Sequence, residues 1–237
     1  MAWLVTHGPL VANPPLPMAA LRSLVTGERI LRLRRDLYLA PDRSGRLPSL
    51  PETLNLVDPD GYISGHGALM LHGLDDQDIS HWYSVTGKRR PDVRYGLLRA
   101  HFVMSPKQVA VSATTSLGVS GHRVKVATAA QALVDELLLM PWGLDHVETA
   151  RVLRTAIEAR AVTEIELVRQ LGRRPSVAAA RRLGLLLELV TSHPNADLLA
   201  MARSNRGVTR LAGDVVFDET WRLYLPQSRA EIARASR

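Results

Sequence analysis

No cysteine occurs in the 237 residues, and that excludes disulfides, thiolate catalysis and cysteine zinc sites. Lysine is almost as scarce. Of the 30 basic residues only Lys88, Lys107 and Lys125 are lysine and the other 27 are arginine, a skew that fits a GC-rich coding sequence and carries no function by itself. No apolar run reaches the ~20 residues needed to span a bilayer. The start, MAWLVTHGPLVANPP, has neither a basic n-region nor a small-residue cleavage site, so it does not read as a secretory signal and a cytoplasmic location is expected. What is present suffices for a folded protein: 46% hydrophobic content fills the core of one large or two modest domains. The net charge of +7 points toward a polyanion as partner without choosing one.

The stretch from Leu21 to Pro41, LRSLVTGERILRLRRDLYLAP, organises the N-terminal part. From Met18 to Thr26 the spacing predicts a helix with Leu21, Leu24 and Val25 on one face and Arg22 and Ser23 on the other. Gly27 ends it. From Ile30 the period changes to two: Leu31, Leu33, Leu37 and Leu39 supply an apolar face, and Arg29, Arg32, Arg34 and Arg35 crowd a ribbon that turns near Arg35-Asp36. A short helix feeding a basic hairpin is the plan of a winged helix. In that plan Arg22 and Ser23 meet base edges in the major groove while Arg29, Arg32, Arg34 and Arg35 meet phosphates. On these residues alone, a solvated arginine face stays open as the alternative. The module, residues 1–45, is abbreviated, because Gly8-Pro9 and Pro14-Pro15-Leu16-Pro17 leave room only for the end of a first helix at Ala2 to His7 and a turn or two of a second.

Pro41 to Pro59 contains four prolines and three acidic residues and reads as a linker with little structure, so a second domain is expected over 50–237. Ser64 is a good N-cap for a short buried helix closed by His72-Gly73. Ile79 to Thr86, Leu97 to Met104, Gln108 to Thr115 and Arg123 to Ala127 read as strands of a small, mostly antiparallel sheet, with a turn at Gly118 to Gly121. A helical bundle follows. Thr128 and Gln131 form a capping box before the stripe Ala130, Leu133, Val134, Leu137 and Leu138, and Pro141 stops that helix. Asp145 to Ala159 is the next, with Val147, Ala150, Leu153 and Ile157 in register, and Thr163 with Glu166 caps another. Ser176 to Val190 is expected to face Ala179, Leu183, Leu186, Leu187 and Val190 inward and Arg181 and Arg182 outward, with Gly184 marking a close helix contact. Gly213 to Leu225 reads as extended chain anchored by Val215, Phe217, Trp221 and Leu223. The fold class is therefore α+β.

From Leu21 to Leu225 these pieces resemble the AbiEi family of antitoxins, the antitoxin half of the AbiE abortive-infection systems. The resemblance rests on LRSLVTGERILRLRRDLYLAP, on GYISGHGALMLHGL with WYSVTGKR after it, on VKVATAAQALVDEL, on AARRLGLLLELV and on a closing WRLYLP. None of the five is specific alone; their order over most of the chain is. The resemblance implies a winged-helix domain joined to a larger antitoxin domain, repression of its own operon through promoter DNA, and a nucleotidyltransferase-like toxin as partner, with no membrane and no cofactor. Two departures are the shortened N-terminus and Asp36, where such wings usually carry glycine.

Enzyme readings fare less well on the residues. Asp76-x-Asp78 could hold magnesium for nucleotidyl transfer, but Asp75, Asp76, Gln77 and Asp78 form a polar run after Gly73-Leu74 that reads as a solvated loop. No Asp or Glu stands two residues before any lysine, which disfavours a PD-(D/E)xK-type nuclease. His66 and His72 are six apart on one short helix and cannot share a face as a metal pair would, and His81, His101, His122 and His146 lack ligand spacing. Ser64 with Gly65 and Gly67 could cradle a phosphate at a helix start, although N-capping explains the serine.

Overall fold

A computed structural model describes residues 9–42, 44–77, 79–139, 144–211 and 215–236. These make a mixed α+β protein with ten helices and three sheets among the described residues. Two compact units share it: the first falls within Met1–Ile63, Asp78–Val109 and Thr115–Val126, the second within Ser64–Gln77, Ala110–Thr114 and Ala127–Arg237. The expected division between 1–45 and 50–237 would fall inside the first unit.

The first unit begins with β1 (Leu10–Ala12), α1 (Met18–Thr26), β2 (Leu31–Arg34) and β3 (Leu37–Leu39). The helix has the expected bounds, and Gly27 caps its C-terminus by donating to the Ser23 carbonyl. Ala2 to His7 lies outside the described residues. The strands form an antiparallel sheet in the order β1-β3-β2, so a third strand joins the anticipated hairpin. A bulge between Arg32 and Arg34 shifts the register and breaks the strict alternation read from the leucines. Strand β3 is buried on both faces, whereas β2 leaves Arg32 exposed. Leu33, Leu37 and Leu39 are buried, while Val11, Tyr38, Ile30 and Ala40 pack with Leu21 of α1, flanked by Leu16, Leu24 and Val25. Each such apolar side chain contributes on the order of 1.5–3 kcal/mol when removed from water.

The supposed linker holds a helix, α2 (Leu50–Val57). Ser49 and Glu52 form a complete capping box, and Pro51 sits in the first turn, where a missing N–H costs nothing. Prolines that look like breakers are therefore part of a helix start. A second correction concerns Gln108 to Thr115: the chain forms a helix, α4 (Pro106–Val111), before a strand, β8 (Thr114–Val119). Pro106 presets the first helical φ, the Ser105 carbonyl accepts from the Gln108 and Val109 N–H groups, and Gln108 is buried.

The six-stranded sheet has the order β6-β7-β5-β4-β9-β8, with β4 at Tyr62–Ser64, β5 at His81–Thr86, β6 at Val93–Tyr95, β7 at Leu98–Met104 and β9 at His122–Ala127. It is mixed rather than mostly antiparallel. Strands β5 and β7 are parallel, as are β4 and β9, whereas β6 and β7 form an antiparallel hairpin. The reason is connectivity: after β5 the chain passes beyond the position of β7, forms edge strand β6, and turns back at Gly96 (φ 62°) into the space between. Strand β2 packs against β6.

The second unit carries α3 (Gly65–Leu71), α5 (Ala129–Leu139), α6 (His146–Glu158), α7 (Glu164–Arg173), α8 (Val177–Thr191), α9 (Ala196–Arg203) and α10 (Arg229–Ala235). Strands β10 (Thr209–Arg210), β11 (Val216–Asp218) and β12 (Leu223–Leu225) form its small sheet. The Thr163 cap holds as read from the sequence, and Asp145 and Ser176 cap α6 and α8 in the same way; Pro141 lies outside the described residues. Helix α8 is packed by α5, α6, α7, α9 and α10. That surrounds Arg181, expected to face outward: it is 2% exposed and donates to the Ala202 and Asn205 carbonyls and to Thr209 Oγ1. Arg182 likewise donates to the Arg210 and Leu137 carbonyls. Gly184 marks a close contact with a side chain instead of a helix backbone, since a Cβ there would lie 2.1–2.6 Å from ring carbons of Trp221. Of the supposed C-terminal anchors, Trp221 and Leu223 are buried, but Val215 (76%) and Phe217 (41%) are exposed.

Candidate nucleic-acid interface

Helix α1 presents Arg22 and Ser23 to solvent because Leu21, Leu24 and Val25 turn toward β1 and β3. Arg29 is exposed in the turn that follows, held by its N–H donating to the Leu24 carbonyl, 2.9 Å. Arg32 and Arg35 are exposed on the hairpin and Arg34 is half-buried. The six residues do not form one cluster. Arg22 and Arg32 line a recess of about 350 Å³ between helix and hairpin, floored by Met18, Leu21, Val25 and Tyr38. Arg34 and Arg35 line another, of about 540 Å³, with Asn13, Asp36, Pro91 and Asp92.

Asp36 adopts φ 60° at the hairpin turn, the left-handed conformation that aspartate tolerates better than most non-glycine residues. Its carboxylate lies 3.5 Å from Arg35 Nε, with side chains 53% and 90% exposed. Such an exposed pair contributes about 0–1 kcal/mol, so it leaves Arg35 available to a stronger anion. That Asn13 and the Pro91-Asp92 pair line the recess at the hairpin tip was not legible in the sequence, because no local spacing ties them to the hairpin.

The sheet brings together residues that the sequence scatters. His81 Nδ1 lies 2.7 Å from His101 Nε2, and His101 Nδ1 lies 2.7 Å from Asp92 Oδ2, with the two imidazoles stacked. Since an ionised carboxylate only accepts, His101 donates from Nδ1 to Asp92, and one proton is shared between His81 Nδ1 and His101 Nε2. Tyr83 also stacks on His101, with ring centroids 5.3 Å apart. The chain organises this sheet face.

In the second unit the run after Gly73 is only partly solvated. Asp76 is exposed and Asp78 lies outside the described residues, but Asp75 is buried. It meets His66 Nε2 and Arg151 Nη2, each at 2.7 Å, and accepts from the Asp76 N–H. Burial pushes the Asp75 carboxyl up, but Arg151, the Gln77 N–H and His66 outweigh it and hold the group below the usual carboxylate range. Burial holds His66 below the usual histidine range despite Asp75. Ser64 occupies the N-cap position of α3 without capping it; its hydroxyl donates to the buried Asp135 carboxylate, 2.7 Å. Glu136 accepts from the Leu144 N–H, and the His66 N–H also draws on it, yet burial pushes its carboxyl up to about 7. The groups around the Ser-Gly-His-Gly helix start are thus spent on joining α3, α5 and α6.

Among the described residues no group of three or more His, Asp or Glu is placed to hold a metal ion, and no helix is long and apolar enough to cross a membrane. No protein-family model matches the chain, and no curated protein matches it in sequence.

Proposed function

We propose that the chain is a non-enzymatic antitoxin of an AbiE-like system that counteracts a nucleotidyltransferase-like toxin and represses its own operon through an abbreviated winged-helix module. The observation that carries the DNA-binding half is α1 lying across a three-stranded antiparallel sheet with Arg22, Ser23, Arg29, Arg32 and Arg35 all exposed. A protruding helix face with flanking cations suits base edges and phosphates respectively. The toxin half is supported by the ordered sequence resemblance. A second reading, an antitoxin acting through protein contacts alone, is favoured by one observation: between β1 and α1 the segment Asn13 to Pro17 is bent, irregular chain, so no supporting helix stands there.

A gel shift on the promoter of the chain's own operon at two salt concentrations tests the DNA-binding half. Removing the charge of Arg29, Arg32, Arg34 and Arg35 should weaken binding to every duplex alike and flatten the salt dependence by about 0.9 of a unit of slope per lost contact. Arg22→Ala should instead cost roughly 1–3 kcal/mol on the operator and relax sequence choice. Absence of any shift at low salt refutes repression. The toxin half is tested by growth on co-expression of the full chain with the adjacent toxin gene, and growth arrest there refutes it.

A further inference from the structure

Strands β6 and β7 form a second basic ribbon in the first unit. Their register sets Arg94 directly opposite Arg99, and the parallel register of β5 with β7 sets His81 opposite Arg99. Side chains alternate between faces along a strand, so the three stand in one row on one face of the sheet. Asp92, just before β6 and two residues from Arg94, and His101, two residues from Arg99 on β7, meet in the His81–His101–Asp92 chain. Arg94 and Arg99 are exposed, and among the described residues neither side chain has a hydrogen bond or ion pair.

Like charges directly opposite on paired strands destabilise a sheet. The acidic group nearest in register, Asp92, does not relieve them, since its oxygens are turned to His101 Nδ1 and the Phe102 N–H. The arrangement calls for an anion from outside. Its place in the fold says which kind: β6 packs against β2, the wing strand that carries Arg32 and Arg34, and the recess at the wing tip runs between Arg34, Arg35 and the Pro91-Asp92 segment that leads into β6. Wing and ribbon are therefore parts of one surface within one compact unit. Arginine forks match phosphate oxygens.

We propose that the phosphate-contacting surface of this chain extends past the wing onto the β6–β7 ribbon, where Arg94 and Arg99 bind phosphates of duplex DNA next to those held by Arg32, Arg34 and Arg35. This rests on the DNA-binding reading above and enlarges its footprint. It makes the sheet of the first unit part of the interface, with the Asp92 oxygens already engaged by His101 Nδ1 and the Phe102 N–H.

The experiment measures operator affinity of the full chain between 50 and 200 mM salt for the wild type, for a wing variant (Arg32→Ala, Arg34→Ala and Arg35→Ala together) and for a ribbon variant (Arg94→Ala with Arg99→Ala). The ribbon variant should lose about 1.8 units of slope, so that the affinity drop over this range is about 12-fold smaller than for the wild type. Arg94→Gln with Arg99→Gln, which keeps the length and polarity of the side chains, should lose the same slope, and Arg94→Lys with Arg99→Lys should retain it. The glutamine pair carries the test if the alanine pair fails to fold. If the wing variant weakens binding while neither neutral ribbon variant changes the slope, the extension is wrong and the winged-helix reading stands. A wild type that binds no duplex at 50 mM salt overturns both.

Discussion

Glu136 offers the sharpest quantitative test of the second unit. Its carboxyl lies on α5 between the Leu144 N–H and the His66 N–H, with Asp135 as its neighbour, and burial raises it from 4.5 to about 7. A carboxyl whose folded pKa exceeds its unfolded value binds more protons in the native state, so its contribution is fully present below the unfolded value and is lost as pH rises through the folded one. At about 1.4 kcal/mol per pH unit, the interval from 4.5 to about 7 amounts to roughly 3 kcal/mol. Glu136→Gln abolishes the titration while keeping a side-chain oxygen to accept the Leu144 N–H. Urea unfolding at pH 5 and pH 8 should therefore show the two proteins within ~1 kcal/mol of each other at the lower pH and the glutamine variant more stable by about 3 kcal/mol at the higher. Comparison with the variant cancels the opposite pH dependence of His66 and His146, which burial holds below their usual range. Parallel pH profiles, or a glutamine variant that is the less stable at pH 8, would refute the account.

Two further perturbations probe α8. Arg181→Leu leaves the Ala202 and Asn205 carbonyls and Thr209 Oγ1 without their donor in a buried place, and should destabilise the chain by about 3–5 kcal/mol in chemical denaturation; a loss under ~1 kcal/mol would mean those carbonyls find other donors. Gly184→Ala gains up to ~1 kcal/mol of helix propensity, but its Cβ collides with the fully buried Trp221 ring, an overpacking cost of about 1–3 kcal/mol. A lower Tm with a changed tryptophan emission is expected, and a raised Tm would show that the indole can move aside.

Much of the helical half was legible because its signals are local. A 3.6-residue stripe with a glycine past the end fixed α1, and a stripe behind a polar first residue fixed α6, α7 and α8, with little help from elsewhere; Thr128 does accept from the Gln131 N–H at the start of α5. The same rules missed α2, where Pro48 and Pro51 were read as breakers although Ser49 and Glu52 make a capping box. They also missed α4, where Ser105-Pro106 opens a helix in a run rich in strand formers. Helices α9 and α10, started by Asn195 and by Ser228 with Glu231, carry the same signal in segments with little apolar periodicity.

For the candidate site, the sequence singled out Arg22, Ser23, Arg29, Arg32, Arg34 and Arg35, and it placed the hairpin turn at Arg35-Asp36, because a period-two run broken by two polar residues has one local solution. It could not supply the Arg94–Arg99 pair or the His81–His101–Asp92 chain, since both depend on β7 returning between β5 and β6, a choice of strand order made by contacts distant in sequence. Nor could it place Arg181: an arginine on the margin of an apolar helix is solvated or enclosed according to whether a later segment lays carbonyls over it, and residues 202–209 do so here. Local patterning set the elements and the chemistry they carry, while burial of charge and cross-strand neighbours were set by which surfaces the tertiary fold closed.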